Sequence, residues 1–278
     1  MFRSQTGITL RAESQPIVER HLSRALALDP QLVSALALEA SDIVWGQWKL
    51  EAGAEAFRRV IALDPNEGGL RAFYGHVLMI QGNPEEALRE GRLALQLDPL
   101  NAFVTGLYGT ILAMTGHPEE AIVVLQDMFE RDPGAGFGVT ALLTALREAG
   151  RYAEEFQLQR TQFASNGDQA LVAALDSGLA AGGYTMAWKN VADLLASRQG
   201  REDAPSMNIA TFYALAGEDV LAMEWLEHAV AQQDQNVPYI GVIPVFRTLH
   251  GDPRFQALAR RVGVPLVALP RRVTTLKD

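Results

Sequence analysis

Asp-Pro recurs four times at nearly constant spacing, as Asp29-Pro30, Asp64-Pro65, Asp98-Pro99 and Asp132-Pro133, in steps of 35, 34 and 34 residues, each closing an amphipathic run. A proline inside a helix costs on the order of 3 kcal/mol, so each pair stops or kinks the helix before it. A period of this length is one supersecondary unit, too small to bury its apolar face alone. It predicts a stack of helical hairpins in which each touches its neighbours, and it moves the expectation of function from a reaction in a pocket to recognition along a surface.

The unit from Gly68 to Asn101 shows how a hairpin is written. Leu70, Phe73, Tyr74, Val77, Leu78 and Ile80 fall at helical spacings and Gly82-Asn83-Pro84 ends the run. Pro84 suits the first turn of a second helix, where its missing N–H would have had no partner, and Glu85 and Glu86 place negative charge at the positive end of the dipole. That helix carries Ala87, Leu88, Gly91, Leu93, Ala94, Leu95 and Leu97 up to Asp98-Pro99. The next unit, Ala102 to Ala135, repeats the grammar with Gly109, Gly116-His117-Pro118-Glu119-Glu120, Ala121 and Asp132-Pro133. A mid-helix glycine loses about 1 kcal/mol against alanine, so Gly75 and Gly109 predict close approach of the partner helix near Ala87 and Ala121.

These residues resemble the tetratricopeptide repeat, whose helix pairs place small residues at the crossing and close on a proline. The matching positions are Tyr74, Gly75, Gly82, Ala87, Ala94 and Pro99 in one unit and Tyr108, Gly109, Gly116, Ala121 and Pro133 in the next. Leu22, Ala25 and Pro30 keep the second half of a truncated first unit, and the unit ending at Pro65 carries one extra residue between Trp45 and Ala52. Downstream, the unit from Gly136 has Glu155 where the pattern expects alanine. Gly182, Ala187 and the run WKNVADLLAS mark a weak unit, and Ala210, Tyr213, Gly217, Ala222, Leu226 and Ala229 mark a regular one. The expectation is an all-α, right-handed superhelical solenoid over residues 1–236, of about seven helix pairs with 136–202 degenerate, followed by a cap and basic tail over 237–278. In the last segment Pro253 starts a short helix whose Phe255, Leu258, Ala259 and Val262 cover the end of the stack. This segment resembles the element closing tetratricopeptide regions in bacterial signalling proteins, where the repeats follow a winged-helix, nucleotide-cyclase or kinase domain.

Reactive constellations are not legible in the sequence. The five histidines stand singly, without the paired spacing that sets two imidazoles on one helix face, so no metal is expected. Gly134, Gly136 and Gly138 lack the strand and the Gly-Lys-Ser/Thr of a phosphate loop and read as a turn between units. The acidic pairs Glu85-Glu86, Glu119-Glu120 and Glu154-Glu155 recur at helix starts, which predicts dipole partners on solvated turns rather than an acid and base couple. No serine lies in a nucleophile-elbow motif. No catalytic residue and no cofactor are assigned. A net charge of -9 opposes sequence-independent nucleic-acid binding, which needs many cations to displace counterions. Without cysteine there are no disulfides or thiolate sites. No apolar run approaches the roughly 18 residues that span a bilayer and no apolar leader core opens the chain, so a cytoplasmic location is expected.

Binding is the remaining expectation. By resemblance, the first helix of each pair lines an inner trough, here Ala72, His76 and Met79, then Phe103, Gly106, Thr110 and Ala113, then Phe137, Thr140, Thr144 and Arg147. That lining is small, apolar and nearly neutral. Arg147 is its one cation, so capture of a C-terminal carboxylate is not expected. An extended apolar peptide or a partner helix suits it, anchored on Met79, Phe103 and Phe137. Packing against neighbouring helices is the competing role for the same side chains. From Arg247 to Asp278 there are seven basic residues against Asp252 and Asp278, a local +5 against -14 elsewhere, which marks a tail that docks on an acidic partner, on the chain's own acidic repeats or on an anionic membrane surface, or else a solvated capping helix. The function expected is a protein-interaction or scaffold module. The alternatives are a detached sensory or regulatory half of a bacterial transcription regulator or adenylate cyclase, and, third, a hydrolase or transferase.

Overall fold

The computed structural model describes residues 11–198 and 205–268, with side chains from residue 16 onward. All regular structure among the described residues is helical. After the single helix α1 (Arg11–Leu28) come α2 (Val33–Ser41) with α3 (Leu50–Leu63), α4 (Gly68–Ile80) with α5 (Pro84–Leu97), and α6 (Ala102–Met114) with α7 (Pro118–Arg131). They are followed by α8 (Val139–Glu148) with α9 (Tyr152–Ser165), the broken helix α10 (Gln169–Ser197), and α11 (Ser206–Leu215) with α12 (Asp219–Ala231). Helices next to each other in sequence pack together, and the first helices of successive pairs, α4, α6 and α8, also touch. The result is an all-α solenoid of tetratricopeptide type, built as the period requires.

The punctuation works as its chemistry dictates. Pro84 and Pro118 occupy the first turns of α5 and α7, and α3, α5 and α7 stop at Leu63, Leu97 and Arg131, immediately before the Asp-Pro pairs. At equivalent positions 34 residues apart, Glu67 accepts from the backbone N–H of Gly69 and Leu70, and Asn101 from those of Phe103 and Val104, so the exposed donors of α4 and α6 are satisfied. Gly75 lies where a Cβ would meet the Ala87 carbonyl oxygen at 3.2 Å and Ile111 Cδ1 at 2.8 Å, as the close approach to Ala87 requires. Gly109 differs from the expectation: the atoms crowding it belong to Leu125, at 2.5 Å, because α7 offers its leucine rather than Ala121 at that level.

Two irregularities have local causes. The extra residue of the second unit is absorbed by a π-helical turn, Asp42–Gly46, in which Gln47 N–H reaches back five residues to the Asp42 carbonyl at 2.8 Å, and Trp48 takes a left-handed φ of 58°. Helix α10 is two rods broken at Gly182-Gly183, where Gly183 has φ 72° and ψ -150°. Gly178 and Ala187 touch across this tight hairpin, a Cβ on Gly178 falling 2.6 Å from Ala187 Cα.

The C-terminal segment does more than cover the end of the stack. Phe255, Leu258, Ala259 and Val262 of α13 (Pro253–Val262) are buried, and α13 packs on α12. Before it, a strap of two 3-10 turns, Val237–Tyr239 and Pro244–Gly251, runs back to the first complete units. Trp45 Nε1–H donates to Tyr239 Oη at 3.0 Å, across 194 positions of sequence, and Tyr239 Oη lies 3.1 Å from His76 Nδ1. Val237, Ile240, Val242, Phe246 and Leu249 are each no more than 1% exposed. At 1.5–3 kcal/mol for each fully buried side chain, they contribute on the order of 10 kcal/mol to holding the strap in place. The Gly241 carbonyl accepts from Val267 N–H at 3.1 Å, and the stretch around Val267 and Pro265 lies against the Gly82 turn between α4 and α5.

Tyr239→Phe removes a single oxygen and leaves two buried groups, the Trp45 N–H and a His76 ring nitrogen, without a partner. Urea denaturation should give a loss of about 2–4 kcal/mol, since each orphaned group costs about 1–3 kcal/mol.

Candidate functional site

The residues expected to line the trough separate into two groups. Ala72, His76, Met79, Thr144 and Arg147 are buried, as are Gly106 and Ala113, whereas Phe103, Thr110 and Phe137 are half-buried and Thr140 is exposed. The expectation of an open lining therefore fails for Ala72, His76, Met79, Thr144 and Arg147. The reason is specific for two of them: His76 is covered by Tyr239 of the strap, and Arg147 is engaged by Glu155.

His76 is the hub of a buried hydrogen-bond chain whose directions are forced. Its Nε2 lies 2.9 Å from the Leu107 carbonyl oxygen, which can only accept, so Nε2 carries the proton. Nδ1 must then accept, from the Tyr239 hydroxyl, whose oxygen in turn accepts from Trp45. Every group has one role and the imidazole is neutral. Burial lowers its pKa to about 4, with the Leu107 bond opposing the shift.

Arg147 and Glu155 form a buried ion pair, Arg147 Nη2 and Nε lying 2.6 and 2.8 Å from Glu155 Oε1. The Tyr184 hydroxyl donates to the same carboxylate, at 3.2 Å to Oε2 and 3.4 Å to Oε1. Burial, the largest influence on that phenol, pushes its pKa up to about 12, so it remains a donor at neutral pH. Glu155 stands 34 residues after Ala121 and 68 after Ala87, in the register of fully buried small residues. It is 0% exposed, which corrects its reading as a dipole partner on a solvated turn; Glu154, its neighbour, does sit in solvent and pairs with Arg151. The signal available in the sequence was the missing alanine, while Arg147 eight positions upstream and Tyr184 beyond the next turn carry no local pattern.

A third feature is a row of rings. Phe73 and Phe103 have centroids 5.3 Å apart, Phe103 and Phe137 4.9 Å, and Trp45 continues the row 5.5 Å from Phe73. Phe103 and Phe137 occupy the same register one unit apart, near the start of α6 and just before α8. On the C-terminal basic segment, Arg247 is bound to Glu148 at 3.0 Å at the end of α8 and Arg254 to Asp252 at 2.9 Å, while Arg260 and Arg261 are exposed. Arg271, Arg272 and Lys277 lie outside the described residues. Among the described residues no group of three histidine or acidic side chains could hold a metal ion, and no helix is long and apolar enough to cross a membrane.

The sign of the His76 contribution follows from its lowered pKa. Between about 4 and 6.5 the unfolded chain binds a proton that the folded chain refuses, so stability is complete above 6.5 and is lost as pH falls toward 4, by about 3 kcal/mol in all. The stability difference between the wild type and His76→Gln, measured by denaturation, should shrink by about 2 kcal/mol between pH 7 and pH 5. A constant difference would show that His76 does not change its charge on unfolding.

Comparison with known sequences gives no matching family model and no matching curated protein. Among solved structures, the chain is similar to a chain of the Naa15/Naa10 complex bound to HypK-THB, with TM-score 0.43 and 16% identity over 82% of this chain. It spans 37% of the length of that chain. It is also similar to the P58(IPK) TPR domain, with TM-score 0.24 and 14% identity over 87% of this chain and 90% of the other. Likeness at this level carries no function across, and the assignment to the tetratricopeptide type of solenoid stands on the hairpins, their crossings and their 34-residue register.

Proposed function

We propose that this protein is a non-enzymatic interaction scaffold that receives an apolar segment of a partner protein, extended or helical, along the unfilled half of its trough. The observation that supports this reading is the row of rings from Phe73 through Phe103 to Phe137. Phe103 and Phe137 keep part of their surface accessible, and Thr110 and Thr140 also retain some exposure. Rings fixed by one another lose little freedom when a partner binds, so most of their contact area contributes to affinity. The half covered by the strap is not available to a partner, because about 10 kcal/mol of apolar burial would have to be undone first. Ala72, His76 and Met79 accordingly act from behind, as the packed support of the platform.

The reading of the chain as a detached sensory half of a transcription regulator or cyclase draws support from a different place, the aromatic cleft beside Tyr184, which offers room for a small ligand. It requires an effector on another polypeptide.

A partner recovered by affinity purification and then prepared pure should bind the wild type and lose affinity by about 100-fold with Phe103→Asp, since an acid on the platform costs several kcal/mol. Val123→Asp, on the solvated face of α7 where Val123 is 68% exposed, should bind as the wild type does. Circular dichroism controls for folding. Retained binding by Phe103→Asp, or equal loss in both variants, would remove the platform from consideration.

A further inference from the structure

A cleft of ≈ 440 Å³ opens between α9 and the first rod of α10, within the range of small-molecule sites. Tyr152, Phe156 and Tyr184 wall it, Leu179 is its exposed apolar floor, and Arg160 and Asp176 stand at its rim. Tyr184 sits at the corner, 5.2 Å from Tyr152 at an interplanar angle of 67° and 5.4 Å from Phe156 at 78°. The rings are thus set on edge to one another and present a fixed angular wall.

What fixes that wall is unusual. The Tyr184 hydroxyl is tied to the carboxylate of Glu155, the residue that replaces the small side chain of the other crossings. Burying a carboxylate is costly even when it is paired, and an alanine would have served the crossing. The Arg147, Glu155 and Tyr184 cluster makes sense as a device that orients one aromatic ring into the cleft.

The rim supplies the chemistry. Arg160 reaches Asp176 through Nε alone, 3.1 and 3.0 Å from its two oxygens, and its Nη groups hydrogen-bond to no described residue. Both Arg160 and Asp176 are about half exposed, so the outer edge of the guanidinium can accept a planar anion. A phosphate dianion is disfavoured by Asp176 on the same guanidinium, and an ammonium by Arg160 itself. From the angular aromatic wall, the apolar floor and the outer guanidinium edge, we infer that the cleft is a binding site for a small carboxylate that bears an aromatic ring, its ring against Tyr152, Phe156 and Tyr184 and its carboxylate on Arg160.

Isothermal titration of the full chain with indole-3-acetate tests this, with indole-3-acetamide as the neutral isostere and tryptamine as the cationic one. The acetate should saturate, and both analogues should bind at least about ten-fold more weakly, the worth of one charge-assisted pair. Arg160→Gln should weaken the acetate by about ten-fold and abolish the preference for acid over amide, whereas Asp176→Asn, which releases the guanidinium, should tighten it. Leu179→Asn, which removes apolar floor without adding charge, should weaken acid and amide alike. These positions are exposed, so folding is checked simply by circular dichroism. The site is independent of the phenylalanine platform, and Phe103→Asp should leave the titration unchanged. No saturation up to about 10 mM acetate, tighter binding of tryptamine, or equal weakening by Arg160→Gln and Asp176→Asn would each overturn the inference.

Discussion

The hydrogen-bond chain from Trp45 through Tyr239 to His76 and on to the Leu107 carbonyl joins the last segment of the fold to the first complete units. In an open stack each hairpin touches only its neighbours, and stability is close to a sum of local terms. Here the strap carries Tyr239 back across most of the sequence, so the N-terminal and C-terminal units share one apolar core that also contains Trp45, Met79, Phe246 and Phe255. Closure changes how the molecule must fold. The hairpins form from contacts close in sequence and can form early, but the strap has nothing to bury against until both ends of the stack exist, so it is expected to dock late. A neutral imidazole suits this junction because it needs one donor and one acceptor, and the Tyr239 hydroxyl and the Leu107 carbonyl supply them without leaving a charge in the core.

Closure also divides the residues expected to line a trough. At His76 the strap turns what would be a surface into interior, while Phe103, Thr110, Phe137 and Thr140 keep some exposure. The same strap neutralises part of the basic C-terminal segment, since Arg247 is held by Glu148. Arg247, one of the seven cations of that segment, is thus engaged by the body of the stack.

What the sequence disclosed and what it hid follow from the range of the interactions. The Asp-Pro stops, the prolines opening α5 and α7 and the packing of Gly75 against Ala87 depend on neighbours within one unit and could be read directly. The site of the extra residue was legible near Trp45, although its form, a π-helical turn, was not. Gly182-Gly183 marked a break whose sharpness depends on the positive φ of Gly183, a property two adjacent glycines permit but do not dictate. Burial of His76 was not legible, because the residue covering it lies at Tyr239 and nothing in the local pattern links the two. For Arg147, helical spacing gave no sign of its burial or its partner, since Glu155 interrupts the repeat without announcing which cation meets it.

Glu155 shows why a departure from a repeat is more informative than the repeat. Fully buried alanines at the equivalent crossings, Ala87 and Ala121, need only their small size to bring two helices together. A carboxylate at the same place needs a cation and further donors, and the chain provides Arg147 from the preceding helix and Tyr184 from the following one. Three helices are thereby fixed by directional bonds at a crossing where Ala87 and Ala121 offer only close packing. Directional bonds specify geometry more narrowly than apolar contact does, and what they specify here is the orientation of Tyr184 at the mouth of the α9–α10 cleft. Size selects an alanine, whereas a buried acid has to be explained by what it holds in place.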